Sequence, residues 1–347
     1  MRITIVTDAW HPQPNGVVRV NDTLRQTLER RGHEVQIVEP SLFRTVPCPT
    51  YPDIPLAVLP GRKVAAMITE FHPDAIHIAT EGPLGLAARG LCRRRGWPFT
   101  TAYHTKFPEY IAQRTRLPLK HLYALMRWFH GPSAAVLCPS PSVQRDLAAR
   151  GFTNARAWSH GVDTELFHPQ PKDFLDLPRP IYLYVGRITV EKNLPAFLDL
   201  DLSGSKVVVG TGPQREALEK RYPQVHFRTA FGDRELSRYF ASGDVFVFPS
   251  TTDTFGLVML EAMASGVPVA AFPVTGPRDV IGTSRAGIMD TDLRAAALAA
   301  IKIDPAQARA HALTFSWDRV ADEFLGFLAP LPGHARAPEE DQAALEI

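Results

Sequence analysis

The stretch Val245-Phe-Val-Phe248-Pro249-Ser-Thr-Thr-Asp253-Thr-Phe255-Gly256-Leu257-Val-Met-Leu-Glu261-Ala-Met-Ala-Ser-Gly266-Val-Pro268-Val-Ala-Ala271 decides how this chain folds. Val245 to Phe248 is short, apolar and β-forming, as a buried strand requires. A loop of small polar residues follows, and Gly256 turns the chain. From Leu257 the residues read as a short helix that stops at Gly266-Val-Pro268. Val267 to Ala271 is β-forming again. Strand, helix and strand in such quick succession make a crossover unit, which belongs to a parallel sheet with helices over its faces.

The same alternation runs outward in both directions. Strands are predicted at Ile3 to Thr7, Val35 to Val38, Ala75 to Ile78, Phe99 to Tyr103 and Ala134 to Leu137. A second set follows at Ile181 to Val185, Lys206 to Val209 and Val225 to Phe227, ahead of the two strands already named. Val17, Val20, Leu24 and Leu28 recur at helical spacing, with Gly32 where a C-terminal cap belongs. The proline-rich run from Phe167 to Pro180 reads as a linker. A length of 347 residues with 45% hydrophobic and 21% charged side chains suits two globular cores. The expected architecture is therefore α/β, two facing doubly wound domains over 1–168 and 176–315, with a helix over 316–330 returning to the first and an acidic flexible tail over 331–347. Three cysteines without CxxC spacing argue against a disulfide framework or a zinc site. The N-terminus reaches Asp8 too soon for a leader peptide, and no apolar run approaches a membrane span. A cytoplasmic protein is expected.

Ligands of open parallel sheets bind beyond the carboxyl ends of the strands, so the chemistry belongs in the loops that follow them. The first such loop, Asp8 to Gly16, opens into a helix whose free amides favour an anion. After Ile181 to Val185 come Gly186-Arg187-Ile-Thr-Val-Glu-Lys192-Asn193, two cations close enough for one phosphate cluster. After Lys206 to Val209 comes Gly210-Thr-Gly212-Pro213, which is not the Gly-x-Gly-x-x-Gly fingerprint of a dinucleotide oxidoreductase. In the opening stretch, amides of Phe255, Gly256 and Leu257 at the helix start suit a diphosphate or sugar hydroxyls, and Asp253 and Glu261 suit two sets of hydroxyls.

These residues, taken in order, resemble a retaining glycosyltransferase of family 4, with the glycosyltransferase-B (GT-B) fold of two facing Rossmann-like domains. The resemblance rests on Asn15-Gly16, Thr80-Glu81-Gly-Pro-Leu-Gly85, Tyr103-His104-Thr105, Gly161 to Pro169, Gly186-Arg187 through Glu191-Lys192-Asn193, Gly210-x-Gly212-Pro213, and the segment from Asp253 to Glu261. It implies that Arg187 and Lys192 neutralise the donor diphosphate, that Glu261 holds the nucleotide ribose, and that Asp253 with the amides of Phe255, Gly256 and Leu257 holds the sugar and distal phosphate. His104 would face the sugar, Gly16 would bring its amide to the phosphate from the opposite domain, and the Gly212 turn would line the donor site. It implies catalysis with retention, by Arg187, Lys192, His104 and Asp253, with no cofactor or catalytic metal. Two departures stand out: Asp253 replaces the family's usual Glu, as in a branch resembling lipid-directed and mannose-transferring members, and Asn15 replaces the first glycine of a common Gly-Gly.

The net charge of +2 hides a lopsided distribution. Between Arg89 and His130 lie nine Lys and Arg against one acid, Glu109. Arg93, Arg94 and Arg95 follow one predicted helix. Another, opening after Leu117-Pro118, sets Leu119, Leu122, Met126 and Phe129 on one face and Lys120 and Arg127 on another, with Arg116 before it and Tyr123 and Trp128 at the margins. A basic, aromatic helix suits an anionic membrane surface, so a peripheral enzyme on the cytoplasmic face of the inner membrane is expected. Nucleic acid is not expected, because the rest of the chain is net acidic and carries no recognition motif. The leading reading is hexosyl transfer from a nucleotide-sugar, a UDP-sugar by preference, to a membrane lipid such as diacylglycerol. A GDP-mannose-dependent or soluble-acceptor transferase and a silent sugar-nucleotide-binding module are the alternatives.

Overall fold

A computed structural model describes residues 1–13, 16–48 and 51–333. The first half contains β1 (Arg2–Val6), β2 (Glu34–Val38), β3 (Thr45–Cys48), β4 (Tyr51–Ala57), β5 (Ala75–Ile78), β6 (Thr100–Ala102), β7 (Ala135–Cys138) and β8 (Ala155–Ala157). All but β3 and β4 form a six-stranded parallel sheet in the order β2-β1-β5-β6-β7-β8. The second half contributes β9 (Ile181–Val185), β10 (Ser205–Val209), β11 (His226–Arg228), β12 (Val245–Phe248), β13 (Val269–Ala271) and β14 (Gly287–Met289), ordered β11-β10-β9-β12-β13-β14 and again parallel. Strands such as Ile181–Val185 and Val245–Phe248 are apolar and buried on both faces because helices cover both.

Four strands escape the sequence reading. β3 and β4 form an antiparallel hairpin outside both sheets, and Pro47, Pro52 and Pro55 disguise it. β8 (Ala-Arg-Ala) and β14 (Gly-Ile-Met) lie at sheet edges and draw their pairing from a neighbour rather than from their own propensity. β13 begins at Val269 rather than Val267, because the Val267 amide still bonds the Ala262 carbonyl in closing the preceding helix.

The helix Trp317–Phe327 leaves the second half and packs on the first. Trp317, Val320 and Phe324 join a core that includes Ile3, Ile5, Leu24 and Trp158, and Trp158 Nε1 donates to the Val320 carbonyl at 3.0 Å. Arg31 pairs with Asp322 at its edge. The acidic tail does not begin at Leu331: that residue is buried, and its amide donates to the Asp74 carbonyl at 2.8 Å. From residue 334 on, the tail lies outside the described residues, as does Asn15.

Candidate active site

Each sheet reverses its strand order once, at β9/β12 in the second domain and at β1/β5 in the first. Such reversals open a crevice at the carboxyl ends of the strands. In the second domain the loops after β9 and β12 are stitched together there. Asn193 Nδ2 donates to the Pro249 carbonyl at 3.2 Å and Thr252 Oγ1 to the Glu191 carbonyl at 3.3 Å. Lys192 Nζ donates to Asp253 Oδ1 at 2.5 Å. The Gly210–Pro213 turn lies so close that a Cβ at Gly212 would stand 2.3 Å from the Ile188 carbonyl oxygen, which only glycine permits.

The loop after β12 turns at Gly256 into the helix Leu257–Ala264, whose first amides receive no side-chain cap. Opposite it, the helix Gly16–Arg30 opens the first domain. A Cβ built on Gly16 would lie 3.7 Å from Leu257 Cδ1, so two helix N-termini converge across the cleft. Their combined dipoles favour an anion between them. Thr254 Oγ1 bridges the same gap by donating to the His104 carbonyl at 2.8 Å.

Glu261 is buried one helical turn in, and Arg19 of the first domain reaches it, Nη1 to Oε1 3.1 Å. Burial raises the Glu261 carboxyl above its ordinary value, the Arg19 charge opposes this, and Asp233 adds to it. His104 is lowered to about 4 by burial, against the opposing pull of Glu81. His160 is lowered to about 3, again by burial first and then by His104. Both imidazoles are therefore neutral at physiological pH. Their rings stand 6.0 Å apart, and His160 meets Phe255 edge-on at 5.0 Å. Glu261 Oε2, Asp253 Oδ2, His104 Nε2 and His160 Nδ1 are shielded and lack a hydrogen-bond partner. Native interiors rarely leave such groups unpaired, and these four belong to residues the two domains bring together.

The structure thus gathers Gly16, His104, Lys192, Gly212, Asp253, Phe255, Gly256, Leu257 and Glu261 around the two reversal points. Arg187 is exposed on the same loop as Lys192, with no ion-pair partner among the described residues. The sequence reading missed Arg19 and His160. Arg19 had a legible signal, a cation in the first turn of a helix, where the macrodipole opposes it. His160 had none, since its place depends on β8 being a strand.

The basic window divides. Arg89 is buried, donating to the Phe129 and Trp128 carbonyls at 2.9 and 2.6 Å, and Lys106 faces Asp146 at 3.9 Å. Arg93, Arg94, Arg95, Arg116, Lys120 and Arg127 are exposed. On the helix Leu119–His130, Leu122, Met126 and Phe129 are buried as expected. Leu119 is not: it stands just beyond the core's edge and is 41% exposed. Tyr123, expected at a margin, is buried instead, donating to Glu109 Oε1 at 2.7 Å. Trp128 is 53% exposed under the Arg89 guanidinium. Among the described residues no helix is long and apolar enough to cross a membrane, and no three His, Cys, Asp or Glu come together as a metal-ligand set.

Comparison with known proteins meets this geometry. The model of Glycosyltransferase Family 4 matches residues 14–166, and that of Glycosyl transferases group 1 matches residues 179–303. A sulfoquinovosyl transferase of Arabidopsis thaliana is 36% identical over 70% of this chain, which spans 51% of that protein. A GDP-mannose-dependent α-mannosyltransferase of Mycobacterium tuberculosis is 30% identical over 96% of this chain and 97% of its own length. An α-monoglucosyldiacylglycerol synthase of Streptococcus pneumoniae is 29% identical over 78% of this chain and 71% of its own. In fold, sucrose-phosphate synthase of Thermosynechococcus elongatus superposes with a TM-score of 0.73 at 21% identity, covering 94% of this chain and 97% of its own. With both halves matched in chain order and a relative aligned along nearly its whole length, the chain belongs to Glycosyltransferase Family 4 of the group 1 glycosyl transferases and has their two-domain GT-B fold.

Proposed function

We propose that the protein transfers a hexosyl unit from a nucleoside-diphosphate sugar to a hydroxyl of a membrane lipid, with retention of anomeric configuration and without a catalytic metal. The observation that carries the donor half is the convergence of two helix N-termini, Lys192 and the unpartnered oxygens of Asp253 and Glu261 on one cleft. Cleavage of the anomeric carbon–oxygen bond leaves negative charge on the departing diphosphate. Lys192, Arg187 and the free amides at Phe255 to Leu257 are fixed donors for that charge, each worth about 3–4 kcal/mol when well placed. They do the work a divalent cation would otherwise do. The acceptor hydroxyl then attacks from the face the phosphate leaves, and its proton passes to the leaving phosphate oxygen. His104, neutral, orients the sugar rather than taking that proton.

The lipid half is supported by the exposed face of the helix Leu119–His130. Leu125 and Trp128 are exposed there with Lys120 and Arg127, and Leu119 and Arg116 are exposed at the start of the helix. Apolar insertion and basic charge on one face suit an anionic bilayer. The monoglucosyldiacylglycerol synthase among the relatives agrees with a glycerolipid acceptor. The near-full-length match to a GDP-mannose-dependent enzyme favours a second reading, in which mannose is the transferred sugar.

The test offers UDP- and GDP-hexoses with phosphatidylglycerol liposomes containing diacylglycerol, in EDTA. A glycolipid whose new bond keeps the donor's anomeric configuration by NMR is expected. Transfer only to soluble sugars would overturn the lipid acceptor. An absolute requirement for Mg²⁺ or Mn²⁺ would overturn the metal-free chemistry.

A further inference from the structure

Glu81 follows β5, the strand beside β1 at the first domain's reversal point, and β6 next to it is followed by Tyr103-His104. The backbone around Glu81 is locked. Thr80 Oγ1 donates to Asp8 Oδ2 at 2.8 Å and accepts from the Asp8 amide at 2.7 Å. Asp8 also accepts from the amides of Leu84 and Gly85, at 2.9 and 3.3 Å, where the helix Pro83–Arg95 begins. A Cβ at Gly82 would stand 2.4 Å from Asp8 Cγ, so that carboxylate is pressed against the residue after Glu81.

The side chain is held as firmly. Glu81 Oε1 lies 3.2 Å from Nε2 of His130, a residue with no exposed surface. An ionised carboxylate only accepts, so Nε2 carries the proton of this bond. His130 Nδ1 lies 2.9 Å from Thr101 Oγ1, which in turn lies 3.2 Å from Ser133 Oγ. Asn154 Nδ2 donates to that Ser133 hydroxyl at 3.2 Å. A buried relay therefore orients one carboxylate whose side chain remains 20% exposed at the end of the sheet facing the other domain. Its charge is felt at His104. A fold gains little from fixing a partly exposed glutamate; a binding site gains its geometry. The donor contacts come mainly from the second domain, so Glu81 stands on the acceptor's side of the cleft.

We propose that Glu81 is the acceptor-binding carboxylate, receiving a hydrogen bond from an uncharged hydroxyl of the acceptor, and that His130 is its positioning residue. The inference rests on the transfer reading above. A carboxylate at this place repels a phosphorylated headgroup and selects a neutral glyceryl or sugar hydroxyl.

The test compares the native protein with Glu81→Gln, isosteric but uncharged, and His130→Asn. Acceptors are dioctanoylglycerol micelles and, separately, methyl α-glucoside, which distinguish a glyceryl from a sugar hydroxyl. Glu81→Gln should raise the KM of whichever acceptor the native protein uses by about tenfold, the loss of one charged hydrogen bond. Calorimetric affinity for UDP or GDP should stay within about twofold. His130→Asn should move acceptor KM in the same direction and leave nucleotide affinity alone, a split that general destabilisation would not produce. Unchanged acceptor KM and kcat in Glu81→Gln, or a loss of nucleotide affinity matching the loss of transfer, overturns the inference. If the native protein uses neither acceptor, the acceptor reading fails separately, and Glu81 is judged on water: slower donor hydrolysis in Glu81→Gln supports it, and unchanged hydrolysis sinks it. A native protein that turns over no donor removes both.

Discussion

Arg19 and Glu261 belong to different domains and meet across the cleft, Nη1 to Oε1 3.1 Å apart, while Glu261 Oε2 stays shielded and unpartnered. The arginine also reaches Asp233 Oδ1 at 3.3 Å and lies over the Phe167 ring. A buried carboxylate tends to protonate, and the guanidinium counters that tendency. One oxygen thus serves Arg19, and the other is left without a partner inside the protein.

Arg19→Ala should therefore weaken nucleoside-diphosphate binding by about tenfold, roughly 1.4 kcal/mol. The loss should grow toward acid pH, because without Arg19 the Glu261 carboxyl rises further and loses its proton only at higher pH. Calorimetry with UDP and GDP between pH 5.5 and 8 measures both. Equal or tighter binding would mean that Arg19 blocks the site rather than tuning it.

The Lys192–Asp253 pair predicts a difference between Lys192 and Arg187, the two cations proposed to meet the diphosphate. Lys192→Ala and Arg187→Ala should each reduce transfer at least about a hundredfold. Only Lys192→Ala should also lower the thermal midpoint, since it strands an Asp253 carboxylate that is 16% exposed. Adding Asp253→Asn to Lys192→Ala should cost less than the two single losses combined. Strict additivity would mean that the pair does not act as a unit.

Membrane attachment can be probed without disturbing the fold. Arg127 is a poor target because Nη1 donates to the Arg150 carbonyl at 2.9 Å. Arg116→Glu with Lys120→Glu should abolish most sedimentation with phosphatidylglycerol vesicles at low salt, at about 1 kcal/mol per charge removed and more for reversal. Leu119→Ser with Leu125→Ser should reduce the residual binding to neutral vesicles. UDP and GDP affinity should be unchanged in both. Native protein that ignores anionic vesicles would leave the face merely solvated.

Stability should fall with acid. His77 and His160 are both buried and lowered to about 3, chiefly by burial and further by His104. The unfolded chain binds their protons near pH 6.5 and the folded one does not, so stability is intact above about 6.5 and declines as pH falls toward about 3. At pH 4 the loss is on the order of 3 kcal/mol for each imidazole. Urea denaturation across this range should show it. His77→Gln, which can keep the bond to Thr100 Oγ1, should flatten the slope, and an unchanged slope would remove His77 from the account.

The alternation of β-forming runs and helical spacing was enough to read two parallel sheets. Buried parallel strands are apolar on both faces, a pattern that needs no partner to be seen. Val245 to Phe248 and Ile181 to Val185 are strands over the very residues read. The loops that follow them could be read for the same reason, since a strand's end puts its next residues at the ligand edge of the sheet. Lys192 and Asp253 were singled out in this way, and the structure pairs them with each other.

What depends on a partner was invisible. β8 and β14 are strands only because β7 and β13 offer them an edge. Leu119 follows the apolar spacing of its helix yet lies beyond the core that would bury it. The bonds from Arg19 to Glu261, from Thr254 to His104 and from Glu81 to His130 join residues 242, 150 and 49 positions apart in the chain. Composition and period by themselves determined that this chain makes two doubly wound domains, with cations and glycines in the loops at the carboxyl ends of the strands. Only the tertiary structure decided which carboxylates are neutralised and which oxygens are left open for a ligand, because charge pairing depends on distance in space and on burial, and neither is written in local sequence.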